Sequence, residues 1–185
     1  MNKVILIHGT GGDGDVFWFP YVKAYAKQQR MEVQSPSFPD SNTPKLNDWL
    51  EYAGENIAFD ANTVLIGHSL GCSFILSLLQ RTNVKIKKAI LVAGPYDKDR
   101  ENVGYQKIKD FLEAYDWQKI KGHCHEFVFI HSTNDLWDCD EENADYAFNQ
   151  LGGVKVIMEG QGHFGSTVLD QPYEEFPFII TQISK

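Results

Sequence analysis

Three residues in this chain have the types and the order needed to move an acyl group: Ser69, Asp135 and His163. Ser69 is the centre of Gly67-His68-Ser69-Leu70-Gly71, a G-x-S-x-G pattern between the apolar run 63–66 and the apolar segment 72–79. That context predicts a tight turn from strand to helix. Such a turn lifts the hydroxyl above the sheet edge at a helix N-terminus, where the field favours developing negative charge, and the flanking glycines make room for neighbouring backbone. A serine hydroxyl is a weak nucleophile until a base takes its proton, and the base works best when an acid orients it. Asp135 follows the apolar run 126–132, 66 residues past Ser69, and His163 follows the run 154–159, a further 28 residues on.

Both assignments have rivals. Asp138 and Asp140 are close to Asp135 in sequence, and Asp97 follows another apolar run, at Gly94-Pro95-Tyr96-Asp97. Of the other histidines, His8 and His68 belong to the glycine motifs, His131 falls within an apolar run, and His123 and His125 precede one. Only His163 comes after the last run, in a Gly-His-Phe loop able to reach back to Ser69.

Residues 9–14, Gly-Thr-Gly-Gly-Asp-Gly, fit the G-x-G-x-x-G dinucleotide pattern. That fingerprint needs a helix starting within the glycines and an acid at the end of the second strand. Here the helix is expected only at Pro20, and Glu32 stands at the start of the second strand. An acyl-transfer site instead needs two backbone N–H donors for an oxyanion, one from the residue after the nucleophile and one from a loop after the first strand. Leu70 and Thr10 are the expected donors, with Gly11 the next choice.

The elements that must hold these residues follow from periodicity. Apolar runs at 3–8, 32–38, 63–68, 87–94, 126–132 and 154–159 read as strands, mostly continuous enough to be covered on both faces. The run at 32–38 carries Pro36 and polar residues, so it belongs at an edge. Leu46, Trp49, Leu50, Ala53 and Ile57 have helical spacing, with Thr43 and Pro44 as cap and first-turn proline. Ile108, Phe111, Leu112 and Tyr115 predict another helix, and Ala144 to Leu151 a third, stopped by Gly152 and Gly153. The alternation predicts one α/β domain over residues 1–185: a three-layer α/β/α sandwich with about six mainly parallel strands. Only 31 residues run from Pro95 to His125, too few for a cap domain.

With 185 residues, 43% hydrophobic, and a formal charge of −8, the composition is that of a globular protein, and the acidic balance argues against nucleic acid. The first apolar run, Val4 to Ile7, is too short for a signal-peptide core or a membrane span. Three cysteines with no C-x-x-C pair suit a reducing compartment, so the expected location is cytoplasmic. His123-Cys124-His125 has no partner cluster and reads as a loop, so no metal site is expected. Cys72, three residues after Ser69, reads as a packed small side chain. Trp18 and Phe164 are the expected walls of a substrate pocket, with Phe17, Phe19 and Trp137 less favoured.

The motifs together resemble one family. Leu-Ile-His-Gly-Thr-Gly-Gly at 6–12, Ile-Gly-His-Ser-Leu-Gly at 66–71, Asp-Trp-Gln-Lys-Ile-Lys at 116–121, Ile-His-Ser-Thr-Asn-Asp at 130–135 and Gly-Gln-Gly-His-Phe at 160–164 are similar to those of the compact serine hydrolases typified by retinoblastoma-binding protein 9. Leu70 departs from the smaller residue often found there. The resemblance implies a minimal α/β-hydrolase fold, a Ser69–His163–Asp135 triad, no cofactor, and a small soluble ester or related acyl compound as substrate. The family's name points to a protein partner, but the associated L-x-C-x-E motif is absent, so no such interaction is carried over. A non-catalytic binding module of the same fold is the alternative.

Overall fold

The chain alternates strands and helices in a computed structural model that describes residues 2–100, 103–112 and 115–184. In order these are β1 (Lys3–Ile7), α1 (Phe19–Gln28), β2 (Glu32–Gln34), α2 (Leu46–Asn56), β3 (Thr63–His68), α3 (Leu70–Leu79), β4 (Ile86–Val92), α4 (Val103–Lys107), a 3-10 turn (Lys109–Phe111), α5 (Trp117–Gly122), β5 (Cys124–Ser132), α6 (Glu141–Leu151), β6 (Val154–Met158) and α7 (Pro177–Ser184). The sheet order is β2-β1-β3-β4-β5-β6, with every pair parallel.

Side chains alternate faces along a strand, and here both faces are covered. Ile5, Leu65, Ala89, Leu91, Phe127 and Phe129 pack under α2, α3, α5 and α6. Their neighbours Val4, Leu6, Ile66, Ile90, Val128 and Ile130 pack under α1 and α7. The two cores make the three-layer sandwich, and the double burial accounts for the nearly unbroken apolar runs. Among the described residues, no helix is long and apolar enough to cross a membrane.

β2 is at the edge, as its composition predicts, but it ends at Gln34, before Pro36 removes a ladder donor. α2 begins at Leu46 after an extended Lys45, so Thr43 and Pro44 precede the helix instead of capping it. The helix expected through Ile108 and Tyr115 is replaced by the short α4 and the 3-10 turn. Phe111 and Leu112 are buried all the same, and residues 113–114 lie outside the described part. α6 ends as expected at Gly152, whose φ of 72° suits a residue without Cβ. Asp116 caps α5, accepting the N–H of Lys119 at 3.1 Å, which gives the Asp-Trp motif its local role.

Register aligns the carboxyl ends. Ile7 is opposite Gly67, His68 opposite Val92, Val92 opposite Ile130, and Ser132 opposite Met158. The loops after β1, β3, β4, β5 and β6 therefore leave the same edge of the sheet, where sites of open parallel sheets form.

Candidate active site

Ser69 occupies the turn between β3 and α3 with φ 54° and ψ −124°, a region non-glycine residues rarely adopt. Strain of this kind persists only where the surroundings over-determine the backbone. The Ser69 N–H donates to Val92 O at 2.9 Å, tying the turn to β4. A Cβ on Gly67 would lie 2.7 Å from the Cys72 nitrogen, and one on Gly71 would lie 2.1 Å from Ile7 O. The two glycines of the motif are thus demanded by close approach of α3 to β3 and β1.

The loop after β1 closes against the serine. A Cβ on Gly9 would lie 2.7 Å from Ser69 Cβ. His8 Nε2 accepts the Phe38 N–H at 2.9 Å, so Nδ1 carries the proton and donates to Gly9 O at 2.8 Å. Burial lowers the pKa of His8, which favours this neutral form. Across the trans peptide the N–H of Thr10 points opposite to the fastened Gly9 carbonyl. The N–H of Gly11 is taken by Ser41 O at 2.8 Å and that of Gly12 by Gly9 O at 3.2 Å. Gly11, the second choice for a donor, is therefore already engaged, and Leu70, at the first turn of α3, has an N–H with no intrahelical acceptor. The glycines of the dinucleotide-like pattern serve this packing: Gly14, for example, presses against Ser35 O. The helix that follows starts at Phe19, well past them.

On the other side, His163 Nδ1 meets Asp135 Oδ2 at 2.8 Å, with the aspartate side chain fully buried. Asp135 Oδ1 accepts the Trp137 N–H at 2.8 Å, so both carboxylate oxygens are held. Two of the rival acids are engaged elsewhere. Asp97 accepts the Asp99 N–H, and Asp140 caps α6 and pairs with Arg100. The histidine loop is tethered on several sides: Asn134 Oδ1 accepts the Gly162 N–H at 2.7 Å, Ser132 Oγ the Gln161 N–H at 2.9 Å, and Gln171 Oε1 the His163 N–H at 3.1 Å. His68 contributes the last tether. Burial, reinforced by the nearby His163, pushes its pKa down to about 3, and the neutral ring donates from Nε2 to His163 O at 2.8 Å.

A cavity of about 290 Å³ opens over these groups, lined by Thr10, Phe17, Ser69, Tyr105, Trp137 and His163 among others. Trp18 and Phe164 are not on its wall, so the expected pocket is corrected. Trp18 is fully buried, donates from Nε1 to Phe164 O at 3.0 Å, and packs on Phe19 and Phe176. Phe164 is fully buried and stacked on Phe176. Each takes a core position because the residue beside it, Phe17 or His163, faces the cavity. Cys72 is buried in the core as expected. His123 bonds Leu79 O, Cys124 starts β5, and His125 is exposed. Among the described residues one group has metal-ligand types together, Asp135, Cys139 and His163, with ligand atoms within 4.8 Å of one another. It is the acid–histidine pair with a buried thiol beside it.

Sequence reasoning did not find Gln171 or Asn143. Asn143 is fully buried on α6; its Oδ1 accepts the Tyr96 N–H and its Nδ2 donates to Asp138 O and to Tyr105 Oη. It joins the loop after β4, the acid loop and α4. Neither residue belongs to a short motif: Asn143 joins loops distant in sequence, and Gln171 reaches back six to ten residues to the histidine loop.

Relatives match nearly the whole chain in sequence. The serine hydrolase RBBP9 of Rattus norvegicus is 26% identical over 173 residues, 90% of this chain and 89% of the relative. YdeN of Bacillus subtilis (strain 168) is 26% identical over 182 residues, 96% and 92% of the two chains. The crystal structure of the ydeN gene product superposes with a TM-score of 0.88 at 23% identity, covering 100% of this chain and 97% of that one, which supports the α/β-hydrolase fold. Residues 4–184 match the family described as serine hydrolase, and the chain belongs to that family of hydrolases.

Proposed function

We propose that the chain acts as one domain to hydrolyse carboxylic esters or related acyl bonds of small molecules through an acyl-enzyme on Ser69. The observation that carries this reading is the 2.8 Å contact of His163 Nδ1 with the buried Asp135 Oδ2, His163 lining the cavity that Ser69 also lines. With Nδ1–H held by the carboxylate, Nε2 is left as the base.

In this mechanism Ser69 Oγ attacks the acyl carbon as its proton passes to His163 Nε2, and Asp135 stabilises the imidazolium. The carbonyl oxygen becomes an oxyanion held by the N–H groups of Thr10 and Leu70; one such donor is worth about 3–4 kcal/mol of barrier in a well-studied protease. Collapse breaks the bond to the leaving oxygen, which takes the proton from His163. Water then attacks the acyl-enzyme, with His163 again accepting the proton; collapse breaks the bond to Ser69 Oγ, which takes that proton back as the acid is released. The reaction needs only groups of this chain and water. The free thiols and the family fit a cytoplasmic enzyme.

Intact-mass analysis after treatment with a fluorophosphonate tests the reading. One adduct is expected on the wild type, and none on Ser69→Ala or His163→Ala. A folded wild type that takes no adduct would overturn it in favour of a binding module.

A further inference from the structure

Resting on the hydrolase reading above, we propose that the substrate carries an apolar arm that leaves the Ser69 cavity across Val168 and Leu136. The cavity wall is largely apolar, with Val16, Phe17, Ile108, Trp137 and Val168 on it and no carboxylate. Apolar side chains are also exposed at Val168, on the wall, and at Leu136, the chain neighbour of the wall residue Trp137. Val168 is 75% exposed and Leu136 71%. Among the described residues, five large hydrophobics are exposed, and three of them (Leu136, Val168 and Leu169) lie in the two loops beside the acid and the histidine.

The fold does not require apolar residues at these positions. Asp135 Oδ1 takes the Trp137 N–H, which makes Leu136 the middle of an Asx turn and directs it to solvent. Val168 and Leu169 form the tip of a loop closed by the Ser166–Gln171 bridge and by the Leu169 N–H on Ser166 Oγ. Turn tips favour polar residues, and a polar side chain at either tip position would leave both closing contacts in place. Apolar surface retained at a rim and continuous with a reactive cavity marks a binding surface. The occupant is the substrate itself, because Val168 belongs at once to the rim and to the wall around Ser69.

The test is the wild type, Leu136→Ser and Leu136→Ser/Val168→Ser on p-nitrophenyl acetate, butyrate and octanoate, each kept below its aggregation concentration. For wild type, kcat/KM is expected to rise at least about tenfold from acetate to octanoate, since each buried methylene contributes favourably. In the double variant the octanoate-to-acetate ratio should fall about fivefold, the size expected for losing part of two apolar side chains from the contact. A wild type that prefers acetate, or a ratio unchanged in the double variant, overturns the proposal. So does a wild type that light scattering finds dimeric while the double variant is monomeric, since a second copy would then be the occupant. These failures leave fluorophosphonate labelling of Ser69 intact, whereas loss of labelling on folded wild type overturns the hydrolase reading itself.

Discussion

The two sides of Ser69 are held by different means. On the nucleophile side, backbone meets backbone: Gly9, Gly67 and Gly71 each stand where an added Cβ would come within 2.7 Å of another atom. On the acid–histidine side, side chains do the holding, through Asn134, Gln171, His68 and Ser132. Close backbone packing has no intermediate settings, so a change there displaces a whole element. A loop held by several hydrogen bonds can lose one and keep its course. The first side should fail abruptly under substitution and the second by degrees.

The largest expected effect acts where the two sides join, at His68. Burial lowers the pKa of His68 to about 3 and that of His131 to about 4. Below about pH 6.5 the unfolded chain therefore binds protons at these two imidazoles that the native chain refuses, and the lowered pKa of His8 adds in the same direction. Their stabilising contribution is complete above that pH and is lost as the pH falls towards the folded values. At the steepest, His68 and His131 should lower stability by about 2.7 kcal/mol per pH unit, twice the 1.36 kcal/mol of a single group. Urea midpoints between pH 7.5 and 4.5 measure this, and His131→Asn should halve the slope due to these two. A flat profile would mean that the buried imidazoles titrate normally.

Gly71→Ala comes next. Its Cβ would press on Ile7 O, pushing α3 off β1, at a cost of about 3 kcal/mol, the upper end for overpacking. Gly54→Ala is the control: nothing lies within 4 Å of that Cβ, and α2 should gain about 0.5–1 kcal/mol. Denaturant unfolding of the pair sharpens the contrast, and equal effects would break it.

The smallest loss of stability is expected from Gln171→Ala, which leaves the N–H groups of His163 and Gly165 without their acceptor. A loss of about 1–2 kcal/mol should accompany labelling of Ser69 slowed about tenfold, with Gln171→Glu recovering part because it keeps the acceptor. If Gln171→Ala unfolds the chain as Gly71→Ala does, the division between the two sides is wrong.

How much of this was legible follows the same division. The elbow at Ser69 could be read because a strand, two glycines and a helix are consecutive in sequence, and the geometry they impose is local. β2 could be placed at the edge from Pro36 and the polar residues of its run. The strands were evident because burial on both faces leaves unbroken apolar runs. The helix through Ile108 and Tyr115 was misread because spacing records which residues are buried, and Phe111 is buried from a 3-10 turn as it would be from a helix. Nor does spacing say which of two adjacent aromatics faces a cavity. Phe17 and Phe164 both adopt positive φ, and those two backbone turns put Phe17 and His163 at the cavity and leave Trp18 and Phe164 to the core.

By itself, then, the sequence determined the alternating fold, the edge that gathers the loops, and the order of serine, acid and histidine, because each rests on contacts within one strand, one turn or one period. Only the tertiary structure decided that Asp135 rather than its neighbours meets His163, that His8 aims the loop bearing Thr10, that Gln171 and Asn143 hold the loops, and that Phe17 and Trp137 wall the cavity. Most of those choices depend on atoms that the sheet brings together from loops dozens of residues apart, and the contacts of Gln171 depend on how its loop folds back on the histidine; no short pattern encodes either.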